Sequence, residues 1–237
     1  MTTPILLLTE VSKSYRRGDE DVHALKNVRL GLAPGEVVGL VGPSGSGKTT
    51  LLMVAAGWER PDAGAVRWRD AEAPGAAGWN ELSLIPQRLG LVDELTVAEN
   101  VGLPMLLNGG ATPDLDAKIT RLLEALDLTG VARRRPPHTS LGEQQRTAVA
   151  RALALEPALV LADEPTGHQD PRREVLVLQS LRRLADAGGT CLIATHNDTT
   201  IEFCHRVLFM HDGAVSREER RAPDSSAALW GRPRSRR

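Results

Sequence analysis

Residues 37–57 read VVGLV-GPSGSGKTT-LLMVAAG, and this stretch decides the fold. Val37–Val41 is a short, β-branched apolar run of the kind that forms a buried strand. It leads directly into Gly42, Pro43, Ser44, Gly45, Ser46, Gly47, Lys48, Thr49 and Thr50, which fit the spacing GxxxxGK[ST]. An apolar, helix-like segment follows. Glycines at these positions let successive backbone N–H groups turn toward phosphate oxygens, and the following helix presents its partly positive N-terminus to the same anion. Lys48 can then reach the β- and γ-phosphates, and the Thr49 hydroxyl is a hard oxygen ligand suited to Mg²⁺. A plain glycine turn between strand and helix would explain the glycines but not the Lys48-Thr49 pair.

Working outward, further strand-like runs lie at Ile5–Leu8, Val28–Leu32, Leu82–Ile85, Leu159–Ala162, Thr190–Ala194 and Arg206–Met210, with helical patterns between most of them. That alternation predicts an α/β architecture with a largely parallel sheet. The middle third differs: 96–107, 115–126 and 143–155 all suggest helices with no strand-like run between them, so a helical block interrupts the sheet. Leu115, Ile119, Leu122, Leu123 and Leu126 recur at helical spacing and should share one buried face, with Thr112-Pro113 as cap and first turn.

A phosphate loop becomes a hydrolase only with a carboxylate for the metal and a group to orient water. Leu159-Val160-Leu161-Ala162-Asp163-Glu164 offers both at the carboxyl end of an apolar strand, the edge at which open α/β sheets bind ligands. Asp163 would hold Mg²⁺, directly or through water, and Glu164, pointing the other way, would polarise the attacking water. Paired acids ending a strand can equally face solvent.

The chain has 237 residues, 41% hydrophobic and 25% charged, the balance of a globular protein rather than a disordered, collagenous or membrane-embedded one. Its net charge of −1 gives no global basic field for nucleic acid. Residues 217–237 hold seven Arg against three acids and read as a solvated tail, with anionic lipid as the alternative partner. Cys191 and Cys204 sit in apolar segments without a CxxC spacing and read as reduced thiols. No apolar stretch approaches the ~20 residues needed to cross a bilayer. The N-terminal MTTPILLLTEV lacks the features of a secretory signal, so a cytosolic chain is expected. Trp58, Trp68, Trp79 and Trp230 show no regular spacing and read as packing or surface residues.

With these motifs in place, the chain resembles the ATP-binding-cassette (ABC) ATPases across Tyr15 to His196. The most specific element is Ser140-Leu141-Gly142-Glu143-Gln144-Gln145-Arg146, followed by TAVARAL, which looks like that family's signature loop and helix. The resemblance implies a P-loop NTPase (RecA-like) core with a mostly parallel sheet, an N-terminal antiparallel β region and a helical subdomain inserted at about 88–145. All of this would lie within one domain, 1–217, followed by a basic, flexible tail, 218–237. It implies ATP and Mg²⁺ as ligands, and a homodimer in which Ser140 and Gly142 contact the nucleotide held by the opposite subunit. Ser140 could equally be an ordinary helix N-cap.

The same resemblance matches Tyr15 to the aromatic that stacks on adenine and Gln87 to the glutamine that senses Mg²⁺ and water. It matches His196 to the histidine that contacts the γ-phosphate, and Asp170 to the acid of the loop touching the partner cassette. A partly buried loop tyrosine at Tyr15, a structural histidine at His196 and a helix start at Asp170-Pro171 are the plain alternatives. Leu141 stands where the family usually has glycine; held in a left-handed conformation it would cost ~1–2 kcal/mol, so slower hydrolysis is expected. His168-Gln169 replaces the usual Asn-Leu or Ala-Leu pair.

Glu143–Arg146 and the segment ELTVAENVGLPMLL look most like cassettes of lipoprotein-releasing, macrolide-exporting and cell-division transporters. That resemblance implies a cytoplasmic subunit, peripheral on the inner face of the membrane, whose residues 88–107 receive a helix of a separate permease. A regulatory or mechanotransmitting subunit with weak hydrolysis is the alternative, and no nucleic-acid partner is expected.

Overall fold

The structure is a computed structural model that describes residues 3–69, 71–72, 78, 80–110 and 112–221. Two sheets organise it. The larger has six strands in the order β10-β9-β3-β8-β7-β6, in which β3 (Val37–Val41), β6 (Leu82–Ile85), β7 (Leu159–Asp163), β8 (Thr190–Thr195) and β9 (Arg206–His211) run parallel. β10 (Ala214–Arg220) closes the edge antiparallel to β9. The smaller sheet is antiparallel, β2-β1-β4-β5, built from a long hairpin of β1 (Leu6–Arg17) and β2 (Glu20–Leu32) with β4 (Ala63–Trp68) and the short β5 (Ala71–Glu72).

The central strands are buried on both faces, and the two-residue period of a strand divides their side chains between two cores. Val38, Leu40, Leu159, Leu161, Leu192 and Ala194 face the antiparallel sheet, with α1 (Lys48–Ala55) sandwiched between. Val37, Val160, Ala162, Cys191 and Ile193 face the opposite way, toward the helices. This is the α/β core, antiparallel β region and helical block that the motifs imply.

The helical block comprises α2 (Val97–Gly109), α3 (Leu115–Ala125) and α4 (Leu141–Leu153), joined by two 3-10 turns at Thr129–Val131 and Pro136–His138. A capping box starts α2: the Thr96 hydroxyl accepts from Glu99 N, and the Glu99 carboxylate accepts from Thr96 N. Buried Asn100 holds the preceding loop by donating to the carbonyls of Val92, Leu95 and Thr96. Pro104 is accommodated inside α2. On α3, Leu123 and the following Leu126 are buried, and Ile119 and Leu122 pack partly buried against them. Asp114, not Thr112, occupies the N-cap of α3, so that helix begins two residues later than Thr112-Pro113 suggests.

β10 extends to Arg220, so residues 218–220 belong to the sheet rather than to the tail expected from 218 onward. Their charges sit on an exposed edge strand, where charge discourages further pairing. The rest of the basic tail, with Trp230, lies outside the described residues, as does Trp79. Trp68 is core and Trp58 is exposed. Cys191 and Cys204 are free and buried; burial pushes both thiols up, Cys204 to about 12, which keeps them protonated and unreactive. α5 (Pro171–Asp186) and α6 (Asp198–Phe203) complete the chain's helices among the described residues.

Candidate nucleotide site

Close approach dictates the glycines of the loop after β3. A Cβ on Gly42 would lie 2.2 Å from the Met210 carbonyl at the end of β9. Gly47 has φ +98°, and a Cβ there would lie 2.2 Å from the Ala24 carbonyl of β2. Only glycine meets both demands. Pro43, Ser44 and Gly45 are exposed, while Gly42, Gly47 and Thr50 are half-buried. Ser46 is 2% exposed, and its hydroxyl has no hydrogen-bond partner among the described residues. Lys48 Nζ folds back to donate to the carbonyls of Gly42 (2.7 Å) and Pro43 (3.0 Å), so its charge sits inside the concave loop.

α1 opens on Lys48, and β7 ends on Asp163, two strands away across β8. The Thr49 hydroxyl donates to Asp163 Oδ2 over 2.7 Å, bringing two hard oxygen donors from loop and strand to one point. Glu164, the next residue, has φ +51°. This turn is held from three sides. Glu164 N donates to the Ala194 carbonyl, and its own carbonyl accepts from Gly167 N and from Gln145 Nε2. The carboxylate is held as well: the Thr195 hydroxyl donates to Oε2 (3.2 Å), and His196 Nδ1 lies 2.7 Å from Oε1.

Gln87, Leu89, Asp163, Glu164 and His196 line one cleft of about 400 Å³, whose other wall is Leu141, Gln145 and the loop through His168 and Gln169. Gln87 enters at the turn after β6 and is exposed. On α4, Arg151 donates from Nη2 to Leu89 O and from Nη1 to Gly90 O, each over 2.7 Å, and so fixes the Gln87 loop to that helix.

Tyr15, Ser140, Gly142 and Asp170 lie outside this cleft. Tyr15 lies on the β1–β2 hairpin in register with Val22, 37% exposed, with Lys13 Nζ 5.4 Å from its ring centroid. The same hairpin touches the phosphate loop through Ala24 and Gly47, which puts Tyr15 beyond that loop rather than in the Glu164 cleft. Ser140 is the N-cap of α4, its hydroxyl accepting from Glu143 N and its own N–H donating to Glu143 Oε2. Asp170 is the N-cap of α5, accepting from Arg172 N and Arg173 N and pairing with Arg173 Nη1 at 2.6 Å. The Arg173 side chain and N–H hold its carboxyl below the usual range. Both plain readings, that of a helix cap, are therefore realised within one chain. Neither Ser140 nor Gly142 hydrogen-bonds to residues 42–50 among the described residues.

Leu141 corrects an expectation. It is the first residue of α4 with ordinary right-handed backbone, and it does not appear among the residues of positive φ. The left-handed strain is absent; what remains is bulk, since the side chain is 48% exposed at the mouth of the cleft. The motifs pass over Gln145, Arg151 and Thr195. The available signal is a polar side chain on the inward face of a helix or strand, which must find partners.

Comparison with known proteins places these features in a family. The family model described as "ABC transporter" matches residues 25–167. The lipoprotein-releasing system ATP-binding protein LolD 2 of Caulobacter vibrioides is 39% identical over 221 residues, covering 90% of this chain and 97% of that protein. An uncharacterised ABC transporter ATP-binding protein of Methanocaldococcus jannaschii, MJ0796, is 34% identical over 228 residues, covering 91% and 97%. The dimeric structure of MJ0796 in a post-hydrolysis state, bound to ADP and Pi, superposes with a TM-score of 0.85 at 32% identity over 91% of this chain and 98% of that one.

Proposed function

The chain belongs to the ABC transporter family as one of its ATP-binding, ATP-hydrolysing subunits, and from that premise we propose how its residues divide the work. The P-loop backbone from Gly42 to Thr50 cradles the phosphates, with Lys48 leaving its two carbonyl partners to meet the β- and γ-phosphates. Tyr15 stacks on the base, a contact worth about 1–3 kcal/mol.

The donor set fits Mg²⁺: Thr49 and Asp163 present hydroxyl and carboxylate oxygens to one point, and Gln87 lines the same cleft. These residues would hold the ion, which supplies charge to offset that of the phosphates. Glu164 polarises the attacking water for in-line displacement at the γ-phosphate. His196 and Thr195 fix the carboxylate that does so. The observation that carries this reading is the joint placement of the Thr49–Asp163 pair and the Glu164–His196 pair at adjacent strand ends.

Two copies are needed to complete each site. Among the described residues, Ser140 and Gly142 hydrogen-bond to none of residues 42–50 of their own chain, and a helix N-terminus bearing a Ser hydroxyl is an anion donor. Ser140 of the partner subunit then closes on the γ-phosphate, and Asp170 lies on the loop facing that partner. ATP closes the homodimer and hydrolysis reopens it. The dimeric MJ0796 structures support this arrangement.

Among the described residues no helix is long and apolar enough to cross a membrane. The names of the LolD relatives support a separate permease as the coupled partner. The subunit would then work peripherally on the inner face of the membrane, receiving a permease helix beside residues 88–107. The purified protein should hydrolyse ATP in the presence of Mg²⁺ and lose that turnover in EDTA; ATP turnover that is absent with Mg²⁺, or indifferent to chelation, would contradict the proposal.

A further inference from the structure

Loop 167–170 leads from the Glu164 turn into α5, and in the sequence its His168-Gln169 departs from what the family resemblance implies. The structure gives Gln169 a definite task. Its Nε2 donates to the Gly142 carbonyl over 2.9 Å, at the first turn of α4. Its Oε1 accepts from Arg146 Nη1 over 2.7 Å. Arg146 is itself 3% exposed and anchored by Nε donating to the Leu126 carbonyl, so it offers a fixed, charged donor.

Backbone packing reinforces the contact. A Cβ on Gly142 would lie 2.9 Å from the His168 carbonyl, and His168 adopts φ +60°, which turns the loop toward α4. Gly142, Arg146 and Gln169 therefore form one side-chain and backbone junction between the loop and the signature helix of the same chain. A leucine at 169 could make neither hydrogen bond and would leave a buried guanidinium N–H without its partner.

We propose that Gln169 is a positioning residue that fastens loop 167–170 to the start of α4, so that loop and helix N-terminus move as one body when two cassettes close on ATP. This rests on the reading that Ser140 and Gly142 serve the partner's nucleotide. Preorganising those donors lowers the ATP concentration at which the dimer forms. It leaves untouched the groups that bind nucleotide within one chain, since Gln169 contacts neither the P-loop nor Asp163 among the described residues.

The test compares the wild type with Gln169→Leu and Gln169→Glu. Steady-state ATPase is measured against ATP concentration, and the affinity for a fluorescent ADP reports the P-loop alone. Gln169→Leu should raise the KM for ATP about three- to tenfold, the scale of losing one or two hydrogen bonds, with kcat at saturation within about twofold and ADP affinity unchanged. Gln169→Glu keeps the acceptor for Arg146 but removes the donor to Gly142, so it should raise KM as well. An unchanged KM in Gln169→Leu overturns the proposal. So does wild-type KM in Gln169→Glu, or a loss of ADP affinity parallel to the rise in KM, which marks general misfolding. A wild type without Mg²⁺-dependent turnover would instead defeat the functional reading itself, before any variant is compared.

Discussion

His196 Nδ1 lies 2.7 Å from Glu164 Oε1, and the Thr195 hydroxyl donates to the other oxygen of the same carboxylate. Consecutive residues at the end of β8 thus grip the side chain that begins where β7 ends. The strands themselves are locked in register, Asp163 opposite Ala194. A carboxylate fixed this way meets its water in one orientation, and loss of a grip should act on turnover before binding. His196→Ala should lower kcat at least tenfold, a scale typical of removing a positioned polar catalytic group, while ATP binding changes little. Steady-state rates together with fluorescent-nucleotide titration check this.

The Thr49–Asp163 hydrogen bond predicts a metal-specific defect. Asp163→Asn keeps the size and one oxygen but removes the charge that a hard divalent cation requires. ATP measured with Mg²⁺ should bind more weakly to this variant than to the wild type, and the difference should vanish in EDTA. Isothermal titration under both conditions resolves the two outcomes.

Where each constraint lives decides whether the sequence discloses it. The P-loop, the Asp163-Glu164 strand end and the α/β order were legible because each is local: an apolar run sets the strand, and a fixed spacing sets the loop. β4 and β10 carry no such local signal. β4 carries Gly64 at φ +84°, where a Cβ would collide with Glu10, and β10 is a charged edge strand; neither shows an apolar run. The junction of Gly142, Arg146 and Gln169 joins residues up to 27 positions apart, which only the packing of α4 against the loop brings together. Leu141 departs from its expected conformation for a related reason. Its backbone is set by the capping box at Ser140 and Glu143, which starts a right-handed helix at Leu141, two residues before the Glu143 start that the pattern suggests.

Leu141→Gly should therefore separate stability from activity. Glycine near a helix start loses up to about 1 kcal/mol of stability, while removing the half-exposed side chain opens the cleft mouth. The expected outcome is a lower melting temperature together with faster turnover at saturating ATP. Equal rates would show that the bulk at 141 does not matter.

Glu143 supplies a pH dependence. Its burial raises the carboxyl pKa, but the N–H and hydroxyl of Ser140 more than offset this and leave it below the ordinary 4.5. A lowered folded pKa contributes stability above the unfolded value, and that contribution is lost as pH falls from about 4.5 through the lower folded value. Glu143→Gln, which can still cap but cannot titrate, should lose that contribution at neutral pH and leave stability at the acid end, where Glu143 is already protonated, nearly unchanged, so its stability curve is flatter between neutral pH and the acid side than the wild type's. Urea unfolding at pH 3 to 7 measures it.

In the proposed dimer two copies of this chain enclose ATP, with Glu164 driving its cleavage. Glu164→Gln removes the charge assigned to activating water while leaving the P-loop, Thr49, Asp163 and the signature helix in place. Light scattering on a sizing column, run with Mg²⁺ and either ATP or ADP, reads the result directly. The expected outcome is a stable dimer of this variant in ATP, a monomer in ADP, and turnover reduced to a small residue of the wild-type rate. A variant that binds ATP yet stays monomeric, or that hydrolyses at the normal rate, would contradict it.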